Sequence, residues 1–363
     1  MRIGILSAQL GREDVHENKR LVREIRRKGH RPVIINYRRT VLAIHKNKRT
    51  LYQPDKKGVL RQVNVDAVIP RINEASDKST HLATLALDCL ISGGAYSTAN
   101  PASIKLAKNK ISSLVALAAA GVPIPRSAAI TGTESFEIDV DKVLNKVEPS
   151  HRRRLIVKTN SGTYGKGVMP AESRGDARAI MDGFLINNIP VLIQQFVEPT
   201  KKGVYVDLRY IVVNGQVVAS MKRLSSGKDE VRANISLGGK GEPHEPTDTE
   251  IELAKQAAKA IGLGVAGVDI IPSGRKRLVI EVNTSPGFVI EKVTGSNVAK
   301  KIVQMAISGA RKGERTAAQK LIDALSTDVP IKLIKPVVQD RRAILSGVRK
   351  SLTKPPRRNL AKK

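Results

Sequence analysis

Apolar residues along this chain fall into two rhythms, and the change between them lies near residue 98. Ile3-Gly4-Ile5-Leu6 is a short, nearly unbroken apolar run that reads as a strand. An amphipathic, charged stretch over 15–28 predicts a helix, and further apolar runs over 32–36 and 66–70 predict two more strands. Strand, helix, strand is the start of a parallel sheet. Residues 80–92 read as a helix ended by Gly93-Gly94, so residues 1–98 are expected to form an open α/β domain. It has no GxGxxG run, and nothing in it points to a dinucleotide.

Asn100-Pro101 is a capping side chain followed by proline at the first helical position. Helical stretches follow through Ala120 and stop at Gly121-Val122-Pro123-Ile124-Pro125. Short β runs then dominate, over 155–158, 191–196, 204–213, 217–222, 265–271 and 278–283. Asn214-Gly215 is a strong hairpin turn, and Pro272-Ser273-Gly274 is expected to be another. This second part is therefore predicted to be α+β and mostly antiparallel.

Composition adds one unusual quantity. The 363 residues are 41% hydrophobic, enough for two or three cores, but 63 Lys and Arg against 33 Asp and Glu leave a net charge of +30. Such a surface attracts polyanions, whether nucleic acid, an acidic membrane or an acidic peptide. The excess is uneven: residues 1–61 hold 17 basic and 5 acidic residues, and Arg341–Lys363 holds 9 basic and no acidic ones. Aromatics are 3% with no Trp, so stacking platforms for single-stranded nucleic acid are scarce. After about residue 310 the chain turns basic and proline-bearing and reads as a tail, either a solvated one or one that docks on an anionic partner. No run suits a membrane span or a signal peptide, and a cytoplasmic protein is expected. Cys89 is the single cysteine and reads as a core residue; the six histidines show no paired metal spacing.

The most informative segment is Leu278-Val279-Ile280-Glu281-Val282-Asn283-Thr284-Ser285-Pro286-Gly287. On a strand Glu281 and Asn283 share a face, with Ile280 and Val282 opposite, and Asp269 on the preceding strand can join them. Two carboxylates and an amide oxygen suit magnesium; the plain alternative is the polar face of a half-exposed hairpin. A second segment delivers Lys158 from a strand into a loop bearing Gly162, Gly165 and Gly167. Backbone N–H groups of such a loop can close on phosphate oxygens, although most glycine-rich loops are only turns. Lys110, the Asp207-Leu208-Arg209 run and Arg232-Ala233-Asn234 can also contribute, or can be a surface lysine, a cross-strand ion pair and an ordinary loop.

The order of these residues resembles the ATP-grasp superfamily, and in detail the RimK-type glutamate ligases, over about residues 1–305. Val68-Ile69-Pro70-Arg71-Ile72, the Lys110 and Lys158 segments, Ala266–Ile270 and Glu281 through Gly295 carry the resemblance. It implies a Rossmann-like pre-ATP-grasp α/β domain over 1–98 and a two-lobed α+β ATP-grasp domain over 99–190 and 191–310, with a basic extension over 311–363. It implies that Lys110 and Lys158 contact ATP phosphates, with the loop glycines Gly162, Gly165 and Gly167. Gln195-Phe196 would lie at the adenine hinge, and Asp207 with Arg232, Ala233 and Asn234 at ATP-contacting positions. Asp269, Glu281 and Asn283 match the ligands of two magnesium or manganese ions, and Arg209 a basic position near the transferred phosphoryl group. Gln195 stands where the family commonly has glutamate, and Ser236-Leu237 where a His-Arg pair is familiar.

The implied reaction is ATP-dependent ligation through an acyl phosphate, adding glutamate to the C-terminal carboxylate of a protein or peptide such as a ribosomal protein. Within the resemblance, a small-molecule or carrier-protein acceptor stands beside it. From another class stands a non-catalytic RNA- or ribosome-binding protein on the same fold. Contact with ribosomal RNA or another polyanion through the basic surface, no membrane association and a homo-oligomer are the expected partnerships.

Overall fold

The computed structural model describes residues 1–8, 12–46, 48–73, 77–131, 139–150, 154–160, 167–199, 204–225, 233 and 238–313. These lie in a unit spanning residues 1–320; the tail Arg341–Lys363 is outside the described residues.

The chain opens with β1 (Arg2–Ser7), α1 (Arg12–Arg27) and β2 (Arg31–Ile35). A small antiparallel sheet follows, β3 (Val41–His45), β4 (Lys48–Pro54) and β5 (Leu60–Gln62), and then β6 (Ala67–Arg71), α2 (Asp77–Ser92) and β7 (Tyr96–Ser97). The parallel sheet runs β2-β1-β6-β7. Both of its faces are covered: Ile3, Ile5 and Ile69 pack with Leu21 and Ile25 of α1, and Leu6, Val68 and Ile72 with Leu87 and Ile91 of α2. That is why β1 and β6 read as continuous apolar runs. The β3–β5 sheet was not foreseen, because its strands are short and bury only Leu51, leaving even the apolar β3 run largely exposed.

Next come α3 (Pro101–Lys108), α4 (Lys110–Ala119), β8 (Ser127–Ile130), α5 (Val140–Val147), β9 (Leu155–Thr159), β10 (Val168–Ala171), α6 (Arg174–Leu185) and β11 (Val191–Gln195). Asn100 accepts from Ser103 N at the start of α3, and Asn109 caps α4 in the same way, which sets Lys110 in the first turn. The second sheet, β10-β9-β11-β8, is antiparallel and packs on α5 and α6. Because β11 pairs with β9 and β8, this sheet runs to Gln195, past the expected boundary at 190.

The third sheet is built from β12 (Val206–Val213), β13 (Gln216–Leu224), β14 (Lys240–Pro243), β15 (Val265–Ser273) and β16 (Lys276–Asn283), in the order β14-β13-β12-β15-β16. Helix α7 (Asp248–Ile261) packs against it, and α8 (Val289–Thr294) and α9 (Val298–Arg311) follow. Asn214 and Gly215 both have positive φ, 51° and 73°, as a two-residue turn between twisted strands requires. The other turn is Gly274-Arg275; Pro272 and Ser273, expected in it, still pair with Arg277 and Lys276. Among the described residues no helix is long and apolar enough to cross a membrane.

Candidate active site

Alternation along β12 sends Leu208, Tyr210 and Val212 into the core and leaves Asp207 and Arg209 on the opposite face. β15 repeats that polarity, with Val268 and Ile270 inside and Gly267 and Asp269 opposite. Pairing lines these positions up across the sheet: Arg223 beside Asp207, Asp269 beside Arg209, Glu281 beside Asp269, and Asn283 beside Gly267. On β16 the register skips Ile280. This bulge lets Val279 and Val282 enter one core cluster although an odd number of positions separates them, and Ile280 is left half-buried.

Four charged side chains form a buried chain on that face. Arg209 grips Asp269 with Nε and with Nη2, the latter at 2.7 Å. Arg223 grips Asp207 in the same fashion, with Nη2 at 2.7 Å, and reaches Asp269 Oδ2 at 3.0 Å. Burial opposes the charge on both carboxylates. At Asp269 the two guanidinium groups outweigh burial and hold its pKa down; at Asp207 burial and the adjacent Asp269 charge prevail, and the pKa rises. Burial alone would lower the pKa of Arg223, but the two carboxylates more than offset it. Arg223 was not foreseen. Counting back from the Asn214-Gly215 turn places Lys222 opposite Asp207, and a register shift at Ile211/Val212 replaces it with Arg223.

Two lysines approach from other segments. Lys158 on β9 donates to Gln194 Oε1 at 2.6 Å, and Gln194 donates in turn to Ser127 Oγ at 3.0 Å. Burial, together with the Lys110 charge, lowers Lys158 to about 8 against the pull of Glu281. Burial likewise lowers Lys110, which also feels Glu281. The backbone of Lys110 is tied to the end of β9, its N–H donating to Asn160 O at 3.1 Å. Thus Lys110, Lys158 and Glu281, distant in sequence, share one electrostatic neighbourhood. Gly167 sits at φ +73°, where a Cβ would fall 2.1 Å from Thr159 Oγ1. Gly162, Gly165, Arg232 and Asn234 lie outside the described residues; Ala233 is buried.

Gln195 ends the second sheet and Phe196 follows it. Gln195 Oε1 accepts from Arg126 Nε at 3.4 Å, and the buried Phe196 ring lies under Arg154, 4.0 Å from its guanidinium carbon, with Tyr205 edge-on. The stretch after Asn283 is tied to the C-terminal edge of the parallel sheet. Arg71 Nη1 donates to Pro286 O at 2.9 Å, Ile72 N to Ser285 Oγ at 2.9 Å, and Phe288 N to Glu17 Oε1 at 3.1 Å.

Among the described residues no cluster of three His, Cys, Asp or Glu side chains could hold a metal ion. The candidate here is a mixed set. Glu281 and Asn283 offer hard oxygens from one face, which suits magnesium or manganese. Asp269, beside Glu281, has both oxygens in guanidinium contacts.

Comparison with known proteins identifies the family. The description "RimK PreATP-grasp domain" matches residues 1–104, and "RimK-like ATP-grasp domain" matches residues 107–306. A probable alpha-L-glutamate ligase of Mannheimia succiniciproducens is 36% identical, over 80% of this chain and 93% of that protein. One from Thioalkalivibrio sulfidiphilus is 35% identical, over 86% and 97%. The ATP-grasp ligase PsnB, solved with a minimal precursor, superposes with a TM-score of 0.61 at 19% identity, over 84% of this chain and 98% of its own. The chain belongs to the RimK-like ATP-grasp family.

Proposed function

We propose that this ATP-grasp ligase adds glutamate to the C-terminal carboxylate of a peptide or protein acceptor. The observation that carries the reading is the meeting of Lys110, Lys158 and Glu281 beside the Arg209–Asp269 pair. Glutamate as the added amino acid is supported by relatives named probable alpha-L-glutamate ligase. A peptide acceptor is supported by PsnB, which was solved with a precursor peptide.

The chemical difficulty is repulsion between a carboxylate and a triphosphate. Lys110 and Lys158 supply cations in a desolvated place, where each is worth more than in water. With a pKa of about 8, Lys158 is roughly 90% charged at pH 7, and an approaching phosphate favours the charged form further. Gln194 fixes that ammonium from behind. Arg209 spends Nε and Nη2 on Asp269, which leaves Nη1 outside the fork. Gly267 keeps space beside that atom, since a Cβ there would stand 3.5 Å from Nη1 and 3.0 Å from Pro286 Cβ. Arg209 is thereby oriented to receive an anionic oxygen. Glu281 and Asn283, joined by Asp269 once a guanidinium releases it, would hold a magnesium ion, whose charge would polarise phosphoryl oxygens.

The test is ADP release by the purified chain with ATP, magnesium, each of the twenty amino acids and a set of peptide acceptors, with mass spectrometry of the products. Glutamate-dependent release with whole glutamate residues added at the acceptor C-terminus is expected. Release that follows another amino acid, or glutamate found on a small metabolite alone, overturns the proposal.

A further inference from the structure

The β3–β5 sheet takes no part in the chemistry described, yet it is inserted at a telling place. β1, β2 and β6 are parallel, and the C-terminal ends of β1 and β6 form the edge to which the Ser285–Phe288 stretch is tied. The insertion leaves the sheet at that same edge, from the end of β2. Tyr37–Arg39 makes one turn of 3₁₀ helix and leads into β3. In the order β2-β1-β6, the end of β2 is two strand spacings from Arg71, about 10 Å.

Tyr37 and Leu51 are buried in the core shared with α2, so the sheet is anchored. Its outside carries two kinds of group. Arg39, Lys46, Lys48, Lys56 and Lys57 are exposed cations. Among the described residues, Asp55 is committed to Arg61 at 3.1 Å and Asp88 to Arg49 at 2.6 Å. Between the cations stand exposed aliphatic side chains: Ile44 at 70%, Leu60 at 49% and Val41 at 45%. β3 and β5 are also the edges of their sheet, where backbone groups can pair with an added extended chain.

We infer that this sheet, with Arg39, is the docking surface for the acceptor: an acidic, extended polypeptide that lies along it and presents its C-terminus to the site. The inference rests on the proposed glutamate-adding reaction, because every round makes the acceptor more anionic and binds it better to this surface. An acidic peptide fits better than RNA. Aliphatic side chains have no role against a phosphate backbone, and Tyr52 is the only Phe, Tyr or Trp within residues 41–62.

The experiment uses the full chain and a fluorescent peptide ending in four glutamates, with no ATP present. Binding is read by anisotropy at low and at moderate salt, for the wild type and for the Lys48→Glu/Lys56→Glu/Lys57→Glu variant. All three positions are exposed, and a thermal melt checks that the variant folds. The variant is expected to bind about tenfold more weakly and with a flatter salt dependence. Its turnover of a saturating short acceptor is expected to stay within about twofold of wild type, since rim charges act on encounter rather than chemistry. Peptide binding that matches wild type overturns the docking surface and leaves these lysines as protection of the sheet edges. So does loss of binding to a single-stranded RNA while peptide binding survives. Wild-type protein that binds the peptide but never extends it with ATP and glutamate instead sinks the reaction, not the surface.

Discussion

Two carboxylate–arginine clusters are buried on the elements of the third sheet, and they spend their charges differently. At Glu250, in the first turn of α7, the carboxylate is met by Arg277 Nε at 2.6 Å, His244 Nε2 at 3.0 Å and Thr247 N at 3.1 Å. Burial would raise that carboxyl, but Arg277, the Thr247 N–H and His244 bring it down to about 2. The cluster staples α7 to β16 and closes a capping box, and there its work ends. At Asp269 two arginines converge on one carboxylate while two lysines crowd Glu281 next to it. One guanidinium nitrogen of Arg209 is left out of the fork. A cluster that only holds the fold satisfies itself; one that serves chemistry keeps donors in reserve.

The sharpest way to break the comparison is at Glu281 and Lys158. Glu281→Ala or Lys158→Ala is expected to lower ADP-forming turnover by about a thousandfold or more, as for loss of a principal electrostatic stabiliser. Melting should remain close to wild type. Turnover near wild type in either variant would return Glu281 to the role of an ordinary hairpin residue.

Glu250→Gln is expected to do the reverse. Removing one partner of a buried ion pair costs about 3–5 kcal/mol, read as a denaturation midpoint, while turnover per folded molecule is retained. The pH dependence has a definite sign. Glu250 is held below an ordinary glutamate value of about 4.3, so its stabilisation is complete above that pH and is lost as pH falls towards about 2. The variant should lose less stability than wild type between these limits; parallel curves would remove the cause assigned here.

The smallest effect concerns Gln194, a positioning residue. With Lys158 near 8, wild-type kcat/KM for ATP is expected to fall as pH rises through about 8. Gln194→Leu removes the acceptor of that ammonium and should move the falling limb to lower pH, with about a tenfold rise in the KM for ATP. A limb that stays in place would mean that Gln194 only fills space.

Much of this was legible in the sequence because local chemistry agreed with the final fold. The apolar runs of β1 and β6, the Asn100 and Asn214-Gly215 signals, and the lysine at the end of β9 each needed only their neighbours to be read. What escaped depends on register or on remote packing. Arg223 and the half-buried Ile280 follow from single-residue slips in pairing, which leave no trace in residue type. Gln194 reads as one more polar residue at a strand end until Lys158 is placed against it. The β3–β5 sheet was hidden because its strands bury only Leu51 and the apolar β3 run stays largely exposed. The turn at Gly274-Arg275 fell one step late because Pro272 is tolerated in the strand.

The ties from Glu17, Arg71 and Ile72 to the Ser285–Phe288 stretch bear on attempts to re-target such ligases. A chimera that exchanges the first hundred or so residues between relatives would cut those ties unless the matching stretch after Asn283 travelled with them. The practical module for grafting is thus discontinuous, an N-terminal block plus a few residues from far down the chain.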